Sequence, residues 1–161
     1  METVYIETTI VSHLVANPSR DLLTRAQQEA TRNWWAGRRG SFYCVVSQET
    51  LAEAARGDAQ QASLRLAALA GLPVFPIAPE AERLAVDFLN TGALPASARS
   101  DAIHLAVASF IEADYLLTWN CRHLANAQII RRLEREAVHA GWKLPTVCTP
   151  PELMGDSPYG T

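Results

Sequence analysis

Residues 3–9 read T-V-Y-I-E-T-T, and this stretch decides the fold. Val4, Tyr5 and Ile6 form a short β-prone run too apolar for a surface, and it ends abruptly in one carboxylate and two hydroxyls. A buried central strand that delivers an acid ends in this way. In an open α/β sheet the ligand crevice lies outside the carboxyl ends of the strands, which puts Glu7 where chemistry is done. The competing reading is a solvated turn in which Thr8 caps the next helix.

Outward from this strand, apolar runs alternate with helical periodicity. Residues 10–16 form a short segment, apolar on one face, that Asn17-Pro18 breaks. Ser19 then reads as the cap of a helix through Trp35, with Leu22, Leu23, Ala26, Ala30 and Trp34 on its inner face. Residues 41–46 (SFYCVV) read as a second buried strand, followed by Ser47 as N-cap of a helix ending at Gly57. Asp58 opens a further helix up to Gly71. Residues 72–77 read as a third strand, whose two prolines are tolerable only near a sheet edge. Pro79 starts a helix stopped by Gly92, and Ser100 reads as the cap of an apolar helix through Ile111. Residues 114–118 form a fourth strand and residues 145–148 a fifth. Between them a helix from about Arg122 to Ala140 turns Ile129, Ile130, Leu133 and Ala137 inward and its arginines outward. Such alternation implies a parallel sheet with right-handed crossovers and helices on both faces.

The 161 residues fit one domain with a core that needs no staples. No apolar run approaches the roughly 20 residues of a membrane span. Met1 is followed at once by Glu2 and a strand, without the pattern of a secretory leader, so a cytoplasmic protein without membrane contact is expected. Three widely spaced cysteines (Cys44, Cys121, Cys148) fit neither a disulfide framework nor a zinc site and read as core or near-core thiols. A formal charge of −3 gives no global basic field for nucleic acid. All basic residues but Lys143 are arginine, which suits bidentate phosphate contact as well as it suits a compositional bias.

Three acids sit in apolar settings: Glu7 after the first strand, Glu53 one turn before Gly57, and Asp101 just inside the helix before the fourth strand. Buried carboxylates are costly unless paired, hydrogen-bonded or metal-bound. An oxygen-only set suits Mg²⁺ or Mn²⁺. Each acid also has a plain reading: Asp101 as a first-turn helix acid, Glu53 as an exposed acid facing Arg56. Asp114 stands at the wrong end of its strand. Thr118, Trp119 and Asn120 occupy the fourth strand's carboxyl end, facing Glu7 if the first and fourth strands are neighbours, and Asn120 can orient a water or offer its carbonyl. His104 reads as a packed core histidine and His123 as a residue at or behind the surface.

The motifs Y-I-E-T-T (residues 5–9), S-Q-E-T-L-A-E-A-A-R-G (47–57), S-D-A-I-H-L-A-V-A (100–108) and L-L-T-W-N-C-R-H-L-A-N (116–126) resemble, in order and spacing, a PIN domain. The match extends to the terminal T-P-P-E-L. The resemblance implies an α/β fold of three layers, α/β/α, with a five-stranded parallel sheet of order 3-2-1-4-5 over residues 1–154, leaving 155–161 as a flexible tail. It further implies metal-dependent endoribonuclease chemistry, often in the toxin of a VapC-type toxin–antitoxin pair, and a homodimer, for which Trp34 and Trp35 are candidate contacts. By position the family's three acids fall on Glu7, Glu53 and Asp101, with Glu49 the alternative for the second. Two departures stand out: Glu7 where aspartate is usual, and Asn120 at the fourth acidic position, which weakens any second metal site.

The expected chemistry is hydrolysis of an RNA phosphodiester by one Mg²⁺ or Mn²⁺ held by Glu7, Asp101 and Glu53, with Asn120 orienting the attacking water. Thr8, Ser100 and Thr118 would fix the carboxylates. Arg56, Arg99 and Arg122 are candidate phosphate contacts, and Trp119 a candidate base-stacking surface. The rival expectation is a catalytically weak PIN-like module for RNA binding or assembly. A cognate antitoxin would be the protein partner.

Overall fold

The computed structural model describes residues 1–156. Its sheet holds five parallel strands in the order β3-β2-β1-β4-β5. β1 (Thr3–Ile6) is central, flanked by β2 (Tyr43–Ser47) and β4 (Tyr115–Leu117). β3 (Val74–Phe75) and β5 (Thr146–Cys148) are the edges. Pro73 and Pro76 confine β3 to two residues, since proline brings no N–H to a ladder.

The helices are α1 (Thr8–Val15), α2 (Leu22–Gly37), α3 (Gln48–Ala54), α4 (Ala59–Leu69), α5 (Pro79–Asn90), α6 (Arg99–Phe110) and α7 (Ala127–His139). Residues Arg39–Ser41 and Pro150–Leu153 form short 3-10 turns. Alternation along β1 divides the core. Tyr5 packs with Val45, Leu116 and the inner faces of α5, α6 and α7, among them Phe88, Leu105 and Leu133. Val4 and Ile6 face the other way, onto Ile10, Val11, Trp34 and Leu69 of α1, α2 and α4. Both faces of the sheet are therefore covered, which is why the central strand is apolar from Val4 to Ile6. Among the described residues no helix is long and apolar enough to cross a membrane.

Several local expectations are corrected. Asp21, not Ser19, caps α2, because its carboxylate accepts from both the amide and hydroxyl of Thr24. The buried face of α2 is Gln28, Thr31 and Trp34, while Leu22 and Leu23 lie in solvent. Gln28 is drawn inward by the Ser19 amide at 2.9 Å and the Asn17 carbonyl at 3.1 Å. Trp34 is in the core, its indole N–H donating to the Leu153 carbonyl at 3.2 Å, and Trp35 lies under the Arg39 guanidinium. β2 starts later than expected, because residues 39–41 turn before it. Ser100 caps nothing: α6 begins at Arg99, and Ala98 gives its N-terminus no side-chain bond. α7 begins at Ala127, not near Arg122, since the Asn126 side chain accepts from the Ile129 amide. Cys121 is exposed, whereas Cys44 and Cys148 are buried. Of the expected tail, 155–161, Gly155 and Asp156 form a turn after the last 3-10 segment, and the remainder lies outside the described residues.

Ser47 caps α3 as expected, in a reciprocal box with Thr50. Asp58 caps α4. The turn after α6 holds an exposed Glu112 at φ 56°, the one non-glycine residue in left-handed backbone among those described. Its amide and that of Ala113 reach back to the carbonyls of Ser109 and Ala108, closing the helix where glycine is preferred. Glu112→Gly is expected to stabilise the protein by about 1 kcal/mol, read as a higher urea midpoint at unchanged slope.

Candidate metal centre

The neighbouring of β1 and β4 sets the site. Ile6 pairs with Leu117, and the Glu7 amide donates to the Leu117 carbonyl at 3.1 Å, so Glu7 and Thr118 leave the sheet side by side. Glu7 then caps α1. Its Oε2 accepts from the Thr9 amide (3.1 Å), the Thr9 hydroxyl and the Thr118 hydroxyl (2.7 Å). Three donors on one oxygen fix the nearly buried carboxylate and leave Oε1 without a protein donor among the described residues. Thr9, which sequence reasoning missed as a site residue, is the hub here, since its hydroxyl also accepts from the Trp119 amide at 2.8 Å. The second threonine of E-T-T was the available signal.

Glu53 reaches the same place from α3. Its Oε1 accepts from the Thr8 hydroxyl at 2.7 Å and from His104 Nε2–H on α6. Glu7, Glu53 and His104 each offer a ligand atom, and the three atoms lie within 4.8 Å of one another. With both His104 nitrogens engaged by Glu53 and Tyr5, the donors left for an ion are carboxylate oxygens, a set that suits a hard divalent cation. His104 is fully buried, as read from sequence, but it is bonded to the site and does not merely pack.

Asp101, one turn before His104 on α6, is tied elsewhere. Its Oδ1 accepts from Asn120 Nδ2 at 3.0 Å, and its Oδ2 meets His123 Nδ1 at 2.8 Å. Asn120 Oδ1 accepts from the His123 amide at 3.0 Å, so the Asn120 side chain is engaged in holding Asp101 and the following turn. The Asn120 amide in turn donates to the Thr118 hydroxyl at 2.9 Å, which links Asp101 to Glu7 through two side chains. Ser100 donates to Glu49, the alternative second acid, joining the starts of α6 and α3. Asp114 lies at the far end of β1, accepting from the Thr3 amide at 2.7 Å.

Arg56, Arg99 and Arg122 are exposed, and none forms an ion pair among the described residues. Trp119 is partly buried, its indole donating to Thr31 Oγ1 at 2.7 Å and its ring stacked on His13 at 6.0 Å.

Burial pushes the Glu53 carboxyl up, but His104, Thr8 and Ser100 outweigh it and hold it at about 2, below the ordinary 4.5. Burial likewise pushes His104 down, and the Tyr5 oxygen with the carboxylates of Glu53 and Glu7 reverses this to well above 6.5. A depressed carboxylate stabilises the fold above its unfolded pKa, and a raised imidazole stabilises it below its own. Their joint contribution is complete from about pH 4.5 to 6.5, is lost at the acid end as pH falls towards 2, and is lost at the basic end as pH climbs through the raised His104 value. The urea midpoint of the wild type should therefore fall between pH 4.5 and 2 by a component that Glu53→Gln lacks.

No protein-family model matches the chain, and no curated protein matches it in sequence. Solved structures do. The crystal structure of Mycobacterium tuberculosis VapC20, a sarcin-ricin loop cleaving toxin, aligns with a TM-score of 0.55 at 18% identity, over 70% of this chain and 86% of that one. A chain of FitAB bound to an IR36 DNA fragment aligns with a TM-score of 0.56 at 13% identity, over 91% and 94%. At such identities the likeness is one of fold, and the fold is PIN-like.

Proposed function

We propose that this chain is a metal-dependent endoribonuclease that hydrolyses RNA phosphodiester bonds, and that it acts as the toxin of a type II toxin–antitoxin pair. The observation that carries the reading is the meeting of Glu7 and Glu53 at the carboxyl edge of the sheet, each with one oxygen held by protein donors. Glu7 and Glu53 would hold Mg²⁺ or Mn²⁺ directly, and Asp101, whose oxygens are already engaged, would reach it through a water. Such an ion, when bound, polarises a phosphate and acidifies a water. Asn120 holds Asp101 in place through Oδ1, while Thr8, Thr9 and Thr118 keep the two glutamates from swinging. Arg56, Arg99 and Arg122 bind flanking phosphates, and the open part of Trp119 stacks on an unpaired base, which favours single-stranded or loop RNA. An antitoxin would cover the acidic crevice, and pairing with a second copy would follow the family pattern.

A second reading, a weakly catalytic RNA-binding or assembly module, is favoured by one observation. Asn120 stands where a fourth acid is usual and its side chain is bonded to Asp101. Incubating structured RNA with the protein in Mn²⁺, in Mg²⁺ and in chelator separates the two. Metal-dependent cleavage that Asp101→Asn lowers supports the nuclease. RNA retention without cleavage in either metal supports the module and removes the nuclease.

A further inference from the structure

We propose that His104 is a positioning residue of the metal centre: from inside the core it holds Glu53 by Oε1, so that Oε2 is turned to the ion that Glu7 also binds. The inference rests on the reading of this site as a divalent-metal centre and adds to it a role for His104.

Tyr5, Ser47, Thr50 and His104 are all buried, and they come from β1, the end of β2, α3 and α6. Hydrogen-bonding side chains in such a place destabilise a fold unless every one is paired. Here they pair with one another. The Tyr5 hydroxyl meets the Ser47 hydroxyl at 2.6 Å, the Thr50 hydroxyl at 3.3 Å and His104 Nδ1 at 2.7 Å. Ser47 and Thr50 are further joined by the capping box of α3. A polar cluster of purely architectural purpose closes on itself, but this one leaves the core at His104 Nε2, on Glu53.

Glu53 is the member whose side chain reaches solvent, at 24% exposure against none for His104. Thr8 donates to the same Oε1 from α1. Two donors fill the two lone pairs of that oxygen and aim the carboxylate, whichever rotamers are otherwise open to it. Tyr5 in turn prevents the imidazole from turning about its own axis. The arrangement is that of an outer partner which orients a ligand, and the loss of such a partner typically weakens metal affinity about 10–100-fold.

The test is Mn²⁺ binding by the full chain, measured by calorimetry and by the electron-paramagnetic-resonance signal of free Mn²⁺. His104→Leu should bind about 10–100-fold more weakly, and Tyr5→Phe, which unpins the ring and removes the hydroxyl shared with Ser47 and Thr50, about tenfold more weakly. His104→Gln, whose amide N–H can still donate to Glu53, should return to within about threefold of the wild type. Thermal melts establish which variants are folded. If His104→Leu does not fold, Tyr5→Phe and His104→Gln carry the comparison. Affinity that is unchanged or tighter in folded His104→Leu, or in Tyr5→Phe should the former be unfolded, overturns the proposal. So does a nitrogen coupling on bound Mn²⁺ that vanishes in His104→Gln, because His104 would then be a ligand itself. Failure of the wild type to bind Mn²⁺ at all is a different result, and it removes the metal centre together with this role.

Discussion

Replacing Glu7 by glutamine is expected to lower RNA cleavage about a thousandfold, equivalent to roughly 4 kcal/mol of transition-state stabilisation, while the protein stays folded. The reason lies in which atom of the new side chain goes where. Oε2 sits among the Thr9 amide, the Thr9 hydroxyl and the Thr118 hydroxyl, all of which need an acceptor. A glutamine keeps these bonds by turning its carbonyl oxygen to them, which directs its amide nitrogen into the crevice. A donor then stands where an ion needs a lone pair, and one negative charge is gone as well. The melting temperature should fall only slightly, since a neutral acceptor replaces a charged one at about 1 kcal/mol. Added Mn²⁺ should raise the melting temperature of the wild type and not of Glu7→Gln, because only a folded state that binds the ion is stabilised by it. Metal-dependent cleavage undiminished in Glu7→Gln would remove Glu7 from the chemistry.

The largest expected effect on stability is at Trp34. Its indole is fully buried, stacks on Phe42 at 6.1 Å and anchors the Pro150–Leu153 turn through the Leu153 carbonyl. Trp34→Ala should cost about 3–5 kcal/mol in urea unfolding, a large share of the roughly 5–15 kcal/mol typical of a domain. Trp34→Phe, which keeps most of the packing but leaves the Leu153 carbonyl without its donor, should cost about 1–2 kcal/mol. The sequence left open whether Trp34 belongs to the core or to a contact between copies. A contact role would instead give a Trp34→Ala protein of near-normal stability that no longer self-associates, and that outcome would contradict the packing described.

What could be read from the chain and what could not differ in physical kind. β1 and its acidic end were legible because a strand buried on both faces must be apolar, so the first polar residue marks where it leaves the sheet. Glycines and prolines marked most helix ends, and the edge position of β3 followed from its prolines. The inner face of α2 was misread: periodicity favoured Leu22 and Leu23, but Gln28 and Thr31 were drawn inward by partners elsewhere in the chain. Ser19 and Ser100 are good caps by type, yet Asp21 has the better acceptor and Ser100 is turned to Glu49. The polar setting of His104 was hidden for the same reason, since Tyr5 lies 99 positions away. Glu7 and Glu53 carried a local signal. The hydroxyls and the imidazole that aim them did not, because each acquires its meaning only from a residue brought near by the fold.

The triple grip of Thr9 and Thr118 on Glu7 bears finally on the thermodynamics of loading. A free glutamate would have to give up the rotation of its whole side chain on capturing an ion. Here that freedom was surrendered on folding, when Thr9 and Thr118 closed on the carboxylate, so capture should be accompanied by little ordering of the protein, and calorimetry should find its entropy dominated by water released from the ion.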